Sequence, residues 1–143
     1  MNPKKKVLFL CTHNSARSQM AEGLLRALYG DRFEAFSAGT VATQVNPYVA
    51  RAMDEIGINI FAQWSKSLTK YLNDNFDYVV TVCDRAKEAC PFFSGGGVML
   101  HLGFTDPSGF RGSDDEIMNG VRSVLGEIKG WIITTFGETG ELR

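Results

Sequence analysis

Three short, mostly apolar runs without alternation punctuate this chain: Val7-Leu8-Phe9-Leu10, Tyr78-Val79-Val80-Thr81-Val82 and Val98-Met99-Leu100-His101-Leu102. Runs of this kind predict strands buried on both faces, as in a parallel sheet. A fourth strand, Phe33 to Ala38, alternates in the manner of a sheet edge and is closed by Gly39. Helical periodicity fills the gaps. Met20, Leu24 and Leu28 recur every fourth residue behind Ser18, which is placed to cap, and Gly30 ends the run. Asn46-Pro47 reads as a cap followed by proline at the first helical position, with Tyr48, Ala52, Met53 and Ile56 as the buried face and Gly57 as the stop. Phe61 to Lys66 reads as loop, and Ser67 as the cap of a short helix through Asn73. Asp84 to Ala89 predicts a short helix ended by Cys90-Pro91, and Asp106 to Gly109 a turn. Ser113-Asp114-Asp115-Glu116 is a capping box, opening a long amphipathic helix with Ile117, Val121, Val124, Leu125, Ile128 and Ile132 on one face.

Strands alternating with helices predict an open, mostly parallel α/β sheet of four strands with helices on both faces. Sites in such sheets lie beyond the carboxyl ends of the strands. That rule gathers Cys11, Cys83 and the Thr105–Gly109 turn around one crevice, although they are far apart in sequence.

With 143 residues, 44% of them apolar, residues 1–143 suit a single domain with one core. A net charge of −1 offers no broad basic surface, so neither a nucleic acid nor an anionic membrane is expected as partner. No apolar run approaches the ~20 residues of a membrane span, and Met1 to Lys6 lacks the core of a signal peptide, so a cytoplasmic location is expected. Three cysteines without an export signal favour thiol chemistry over a disulfide framework. With no Cys-x-x-Cys and only His13 and His101, no metal site is expected.

The chemistry concentrates in Cys11-Thr12-His13-Asn14-Ser15-Ala16-Arg17-Ser18, between the first strand and the first helix. An anion held there meets backbone N–H groups, the positive end of a helix dipole and the planar fork of Arg17. The same field favours the thiolate of Cys11, so nucleophile and oxyanion site form one loop. If the strands ending at Cys11 and Cys83 are neighbours, about 4.8 Å apart, their cysteines fall near the roughly 4.4–6.8 Å Cα separation of a disulfide. Cys83 and Cys90, if joined by a helix, lie about 10 Å apart. Bridging them requires that helix to unwind, which would expose a disulfide at the surface.

Cys11-x5-Arg17-Ser18 together with Asp106-Pro107 resembles the low-molecular-weight protein tyrosine phosphatase family, and Cys83 with Cys90-Pro91 resembles its offshoot, the thioredoxin-coupled arsenate reductases. The likeness runs from Val7 to about Phe136 and includes Asn14, Ser18-Gln19-Met20-Ala21-Glu22-Gly23, Ser37-Ala38-Gly39-Thr40 and His101-Leu102-Gly103-Phe104. It implies a three-layer sandwich of flavodoxin-like topology. It also implies that arsenate binds the loop amides and Arg17, that the Cys11 thiolate attacks arsenic, and that Asp106 protonates the departing oxygen. Cys83 would then attack the Cys11 sulfur and arsenite would leave. Cys90 would attack Cys83, leaving a disulfide for thioredoxin, or alternatively for glutaredoxin with glutathione. Ser18 would donate to the Cys11 thiolate. No organic cofactor is implied, and a monomer is expected. Lys66 stands where some relatives carry an aspartate that helps hold a potassium ion; its ammonium is expected beside Glu22 instead, with little dependence on potassium. The competing readings are a tyrosine phosphatase of the same fold, against which stands the absence of tyrosines after Asp106-Pro107, and a redox-sensing module without turnover.

Overall fold

A computed structural model describes residues 3–83 and 93–137. Its centre is β1 (Lys5–Cys11), whose Val7–Cys11 stretch is entirely buried. On one side β1 pairs in parallel with β2 (Phe33–Gly39), from Lys5 against Phe33 to Cys11 against Gly39. On the other it pairs in parallel with β3 (Phe76–Thr81), from Val7 against Tyr78 to Leu10 against Thr81. Beyond β3 lies β4 (Gly96–His101), so the spatial order is β2-β1-β3-β4. This is the flavodoxin-like order. The chain leaves β1 toward β2, then returns to the opposite side as β3, and the crevice of such a sheet opens where that reversal occurs.

Helices α1 (Arg17–Tyr29), α2 (Pro47–Glu55) and α3 (Asp114–Phe136) share one apolar cluster with Val7, Phe9 and Cys11. Alternation along the strand sends Leu8 and Leu10 to the opposite face, where they meet Tyr71, Phe76, Val79 and Phe93. Among the described residues that second face is covered by the 3₁₀ helix Leu68–Tyr71 and Phe93. The short helix predicted over Asp84 to Ala89 lies outside the described residues.

Local chemistry accounts for most boundaries. Asn46 caps α2 by accepting from Tyr48 N, Pro47 occupies its first position, and Gly57 adopts φ +82° just beyond it. Ser113 and Glu116 form the reciprocal capping box of α3. Ser67 caps a single 3₁₀ turn, shorter than the helix expected through Asn73.

Four expectations need correction. Ser18 does not cap α1: the cap position is Ala16, which makes no side-chain bond, and Ser18 lies inside the first turn. Leu28 is exposed, because only the stretch Arg17–Leu25 of α1 is enclosed. The buried face of α2 is Val49, Ala52 and Met53, while Ile56, at the helix end, is exposed. The strand β4 is not buried as its composition suggests. It is the last strand of the sheet, and Val98 and Met99 are each 44% exposed.

Candidate active site

Between the end of β1 and the start of α1 the backbone makes a tight loop, and each of its carbonyls is engaged. Cys11 O accepts from Thr40 N (3.3 Å), Thr12 O from Val41 N (3.0 Å) and Ser15 O from Asn46 N (2.8 Å). His13 O accepts from the hydroxyls of Thr43 (3.1 Å) and Ser65 (2.9 Å). Asn14 O accepts from Gln19 Nε2 (3.0 Å), and Ala16 O from Met20 N (2.9 Å). With its oxygens bound by the surrounding segments, the loop presents N–H groups to an anion, continued by the amides of the first turn of α1.

Gly39 makes this possible. A Cβ at Gly39 would lie 2.7 Å from Thr12 O and 2.8 Å from Asn14 N, against backbone that cannot rotate away. Gly39→Ala is therefore expected to cost about 1–3 kcal/mol of stability and to weaken binding of inorganic phosphate, as measured by calorimetry on the folded fraction.

Two donors converge on the sulfur of Cys11. Asn14 N donates to Sγ at 3.2 Å, from a backbone turned to φ 52° at the loop tip. Ser18 Oγ lies 2.9 Å from Sγ and itself accepts from Asn14 Nδ2 at 2.7 Å; toward a thiolate, which carries no proton, the hydroxyl can only donate. The hydroxyl of Ser18 is thus engaged with the Cys11 sulfur and not with the helix end.

The Arg17 side chain is 2% exposed, with Nη1 donating to Phe104 O (3.3 Å) and Nη2 lying 3.4 Å from Asp106 Oδ2. The Asp106 carboxylate also caps the 3₁₀ helix Pro107–Gly109 through Ser108 N (3.0 Å), so it is both a turn former and a partner of the guanidinium. Ser108 Oγ reaches Ser15 Oγ and Asn46 Nδ2, each at 3.3 Å, tying this turn to the anion loop.

Cys83 follows β3, beside the end of β1: Val82 N donates to Leu10 O at 2.9 Å. The two cysteines therefore leave adjacent parallel strands at the same end of the sheet. Cys83 is buried and disulfide-bonded, whereas Cys11 is a free thiol. Cys90 lies outside the described residues. His101, the last residue of β4, pairs through Nδ1 with Thr81 Oγ1 on β3 (2.7 Å).

The chain that carries this free thiol and buried guanidinium on one loop matches the family model "Low molecular weight phosphotyrosine protein phosphatase" over residues 6–129. The chain belongs to this family. Among curated proteins it is similar to the arsenate reductase of Halalkalibacterium halodurans, 44% identical over 138 residues, covering 96% of this chain and 99% of that one. Among solved structures it resembles one described as an arsenate reductase in the phosphate binding state. That likeness has a TM-score of 0.79 at 28% identity and covers 96% and 99% of the two chains. The thioredoxin-dependent arsenate reductase of Corynebacterium glutamicum is also similar, with a TM-score of 0.62 at 30% identity over 92% of this chain and 63% of that one.

Behind the phosphatase-family loop lies a buried charge cluster. Glu22 accepts from Ser37 Oγ and Arg26 Nη2, each at 2.5 Å, and Lys66 Nζ sits 3.7 Å from Glu22 Oε1. Burial lowers the pKa of Lys66, and the Glu22 charge opposes that shift. The Lys66 and Arg26 side chains both stand against Glu22, leaving the cluster unsuited to a metal cation. Exchanging sodium for potassium is expected to leave Tm and turnover unchanged; a clear stimulation by potassium would count against this.

Sequence reasoning missed the polar groups that hold the loop from outside, namely Thr43, Gln63 and Ser65, and gave Gln19 no role. Nothing local marks them, since they act on carbonyls distant in sequence. Asn46 was legible only as a helix cap, although its N–H also holds Ser15 O.

Among the described residues no helix is long and apolar enough to cross a membrane.

Proposed function

We infer that the protein reduces arsenate to arsenite, with Cys11 as nucleophile and Cys83 and Cys90 as the thiols that carry the oxidising equivalents away. The observation that carries this reading is the placement of Cys11 and Cys83 at the same end of adjacent parallel strands, with the anion loop between β1 and α1. Its relatives named arsenate reductase support the substrate.

Arsenate occupies the loop amides and the Arg17 fork, and the Cys11 thiolate attacks arsenic. An As–O bond breaks, and the departing oxygen leaves as water after taking a proton from Asp106. Cys83 then attacks Cys11 Sγ: the S–S bond forms, the S–As bond breaks, and its electron pair stays on arsenic, which departs as arsenite. Cys90 attacks Cys83, returning Cys11 to the thiolate and leaving Cys83 in a disulfide. A disulfide at Cys83 beside a free Cys11 is the state this last step produces. The disulfide is reduced by a dithiol, for which the thioredoxin dependence of the Corynebacterium relative is the precedent. Cys11, Arg17 and Asp106 also suffice for phosphoryl transfer, so weak phosphatase activity accompanies the reduction.

The test is arsenate-dependent NADPH oxidation with thioredoxin and its reductase, run beside glutaredoxin with glutathione. Turnover with thioredoxin is expected. Absence of turnover with both donors, in a protein that still hydrolyses p-nitrophenyl phosphate, would leave a phosphatase.

A further inference from the structure

We propose that Gln19 is a positioning residue for the nucleophile: its side-chain amide fixes the orientation of the Asn14 amide, and with it the polarity of the donor chain that ends on Cys11 Sγ. This rests on the reading of Cys11 as nucleophile.

The chain of bonds has a direction. Asn14 Oδ1 accepts from Gln19 Nε2 (3.0 Å) and from the backbone N–H of Lys66 (2.8 Å), so both lone pairs of that oxygen face donors. The nitrogen of the same amide is thereby turned to Ser18 Oγ, which accepts from it at 2.7 Å and lies 2.9 Å from the sulfur, where it donates once Cys11 is a thiolate. Were the Asn14 amide reversed, its oxygen would take the Ser18 proton, and a hydroxyl lone pair would face the thiolate. One orientation stabilises the anion; the other opposes it.

Gln19 is the side chain that enforces the first arrangement. Its nitrogen lies within hydrogen-bond distance of Asn14 O (3.0 Å), Asn14 Oδ1 (3.0 Å) and Trp64 O (3.1 Å). It therefore joins the loop tip to the segment that carries the Lys66 N–H. Its own amide is held the right way round by Gln63 Nε2, which donates to Gln19 Oε1 (2.8 Å) and to Gln19 O (3.1 Å). Gln63 Oε1 in turn accepts from Arg26 Nη1 (3.0 Å), a donor that cannot reverse. Gln19 is completely buried on a helix whose neighbouring positions Met20, Ala21, Leu24 and Leu25 are apolar core. An amide there is costly unless satisfied. It touches neither the sulfur nor the crevice, so its action passes through Asn14.

The experiment compares the full chain, fully reduced, with Gln19→Met, which keeps the length and removes the donors. Thiolate absorbance at 240 nm and the rate of iodoacetamide alkylation of the Cys11 peptide, followed by mass spectrometry, are read at the pH where the parent thiol is half ionised. Affinity for inorganic phosphate and Tm are measured in parallel. Alkylation is expected to slow by roughly three- to tenfold, the equivalent of one net hydrogen bond, with a matching fall in thiolate absorbance. The kcat for p-nitrophenyl phosphate should fall with it, and phosphate affinity per folded molecule should fall by less than the alkylation rate, through the bond that Gln19 also makes to Asn14 O. Gln63→Leu, at a half-buried position, should move both readings in the same direction and by less. Unchanged thiolate absorbance and alkylation in folded Gln19→Met would overturn the proposal; if that variant does not fold, an unchanged Gln63→Leu overturns it alone. Failure of the underlying reading is separable: Cys11→Ser would then retain turnover, whatever the glutamine variants do.

Discussion

Cys83→Ser is expected to lower arsenate reduction by on the order of 10³-fold or more while p-nitrophenyl phosphate hydrolysis persists. The two reactions share the loop and diverge at the second step. Hydrolysis needs only water to release phosphate from Cys11, and every group for that lies within the loop, Arg17 and the Asp106 turn. Reduction needs a second sulfur to take the bond from Cys11 and leave an electron pair on arsenic, and the adjacent strand carries it. The measurement is a pair of steady-state assays on the same preparation. If both activities fall together, Cys83 acts through the fold; if neither falls, the relay does not run through it.

The second large effect is expected at Arg17. Arg17→Lys should depress both reactions together, by about 10²–10³-fold in kcat, the range seen when one oxyanion donor is removed. Lysine keeps the charge and loses the fork. In the native protein that fork is buried, with one nitrogen on Phe104 O and the other directed at the Asp106 carboxylate, so its plane is fixed before any anion arrives. Parallel loss with arsenate and with p-nitrophenyl phosphate identifies a shared anion clamp. Loss confined to one substrate would assign Arg17 a different role.

The two substitutions separate what was legible in the sequence from what was not. The four strands, the capping of α2 by Asn46 and the capping box at Ser113 are written in short windows, and the structure keeps them. Alternation of strands and helices gave the parallel sheet, but left open whether the strands ending at Cys11 and Cys83 are neighbours, which the strand order decides. Misreadings arose where a distant segment overrides a local preference. Ser18 has the composition of a cap, but the thiol seven residues earlier claims its hydroxyl. Val98 and Met99 have the composition of a buried strand, but lie on the last strand of the sheet. The outer supports of the loop were invisible for the same reason, because Ser65 meets it, and Gln63 meets Gln19 behind it, only once α2 and its following turn have packed.

A cradle built entirely of amide hydrogens and a guanidinium grips shape and charge, and phosphate has the same shape and charge as arsenate. Because the outward hydrogen bonds of the loop carbonyls set that cradle rigidly in advance, it has no means of refusing the commoner anion at the door. In the proposed relay, choice between the two falls to the event after capture: phosphorus does not accept an electron pair from a thiol, so a phosphate visitor departs unaltered, whereas arsenic is committed once the neighbouring sulfur moves. On that reading the protein sorts its substrates by reducibility, and phosphate in the surroundings is expected to slow it without being mistaken for product.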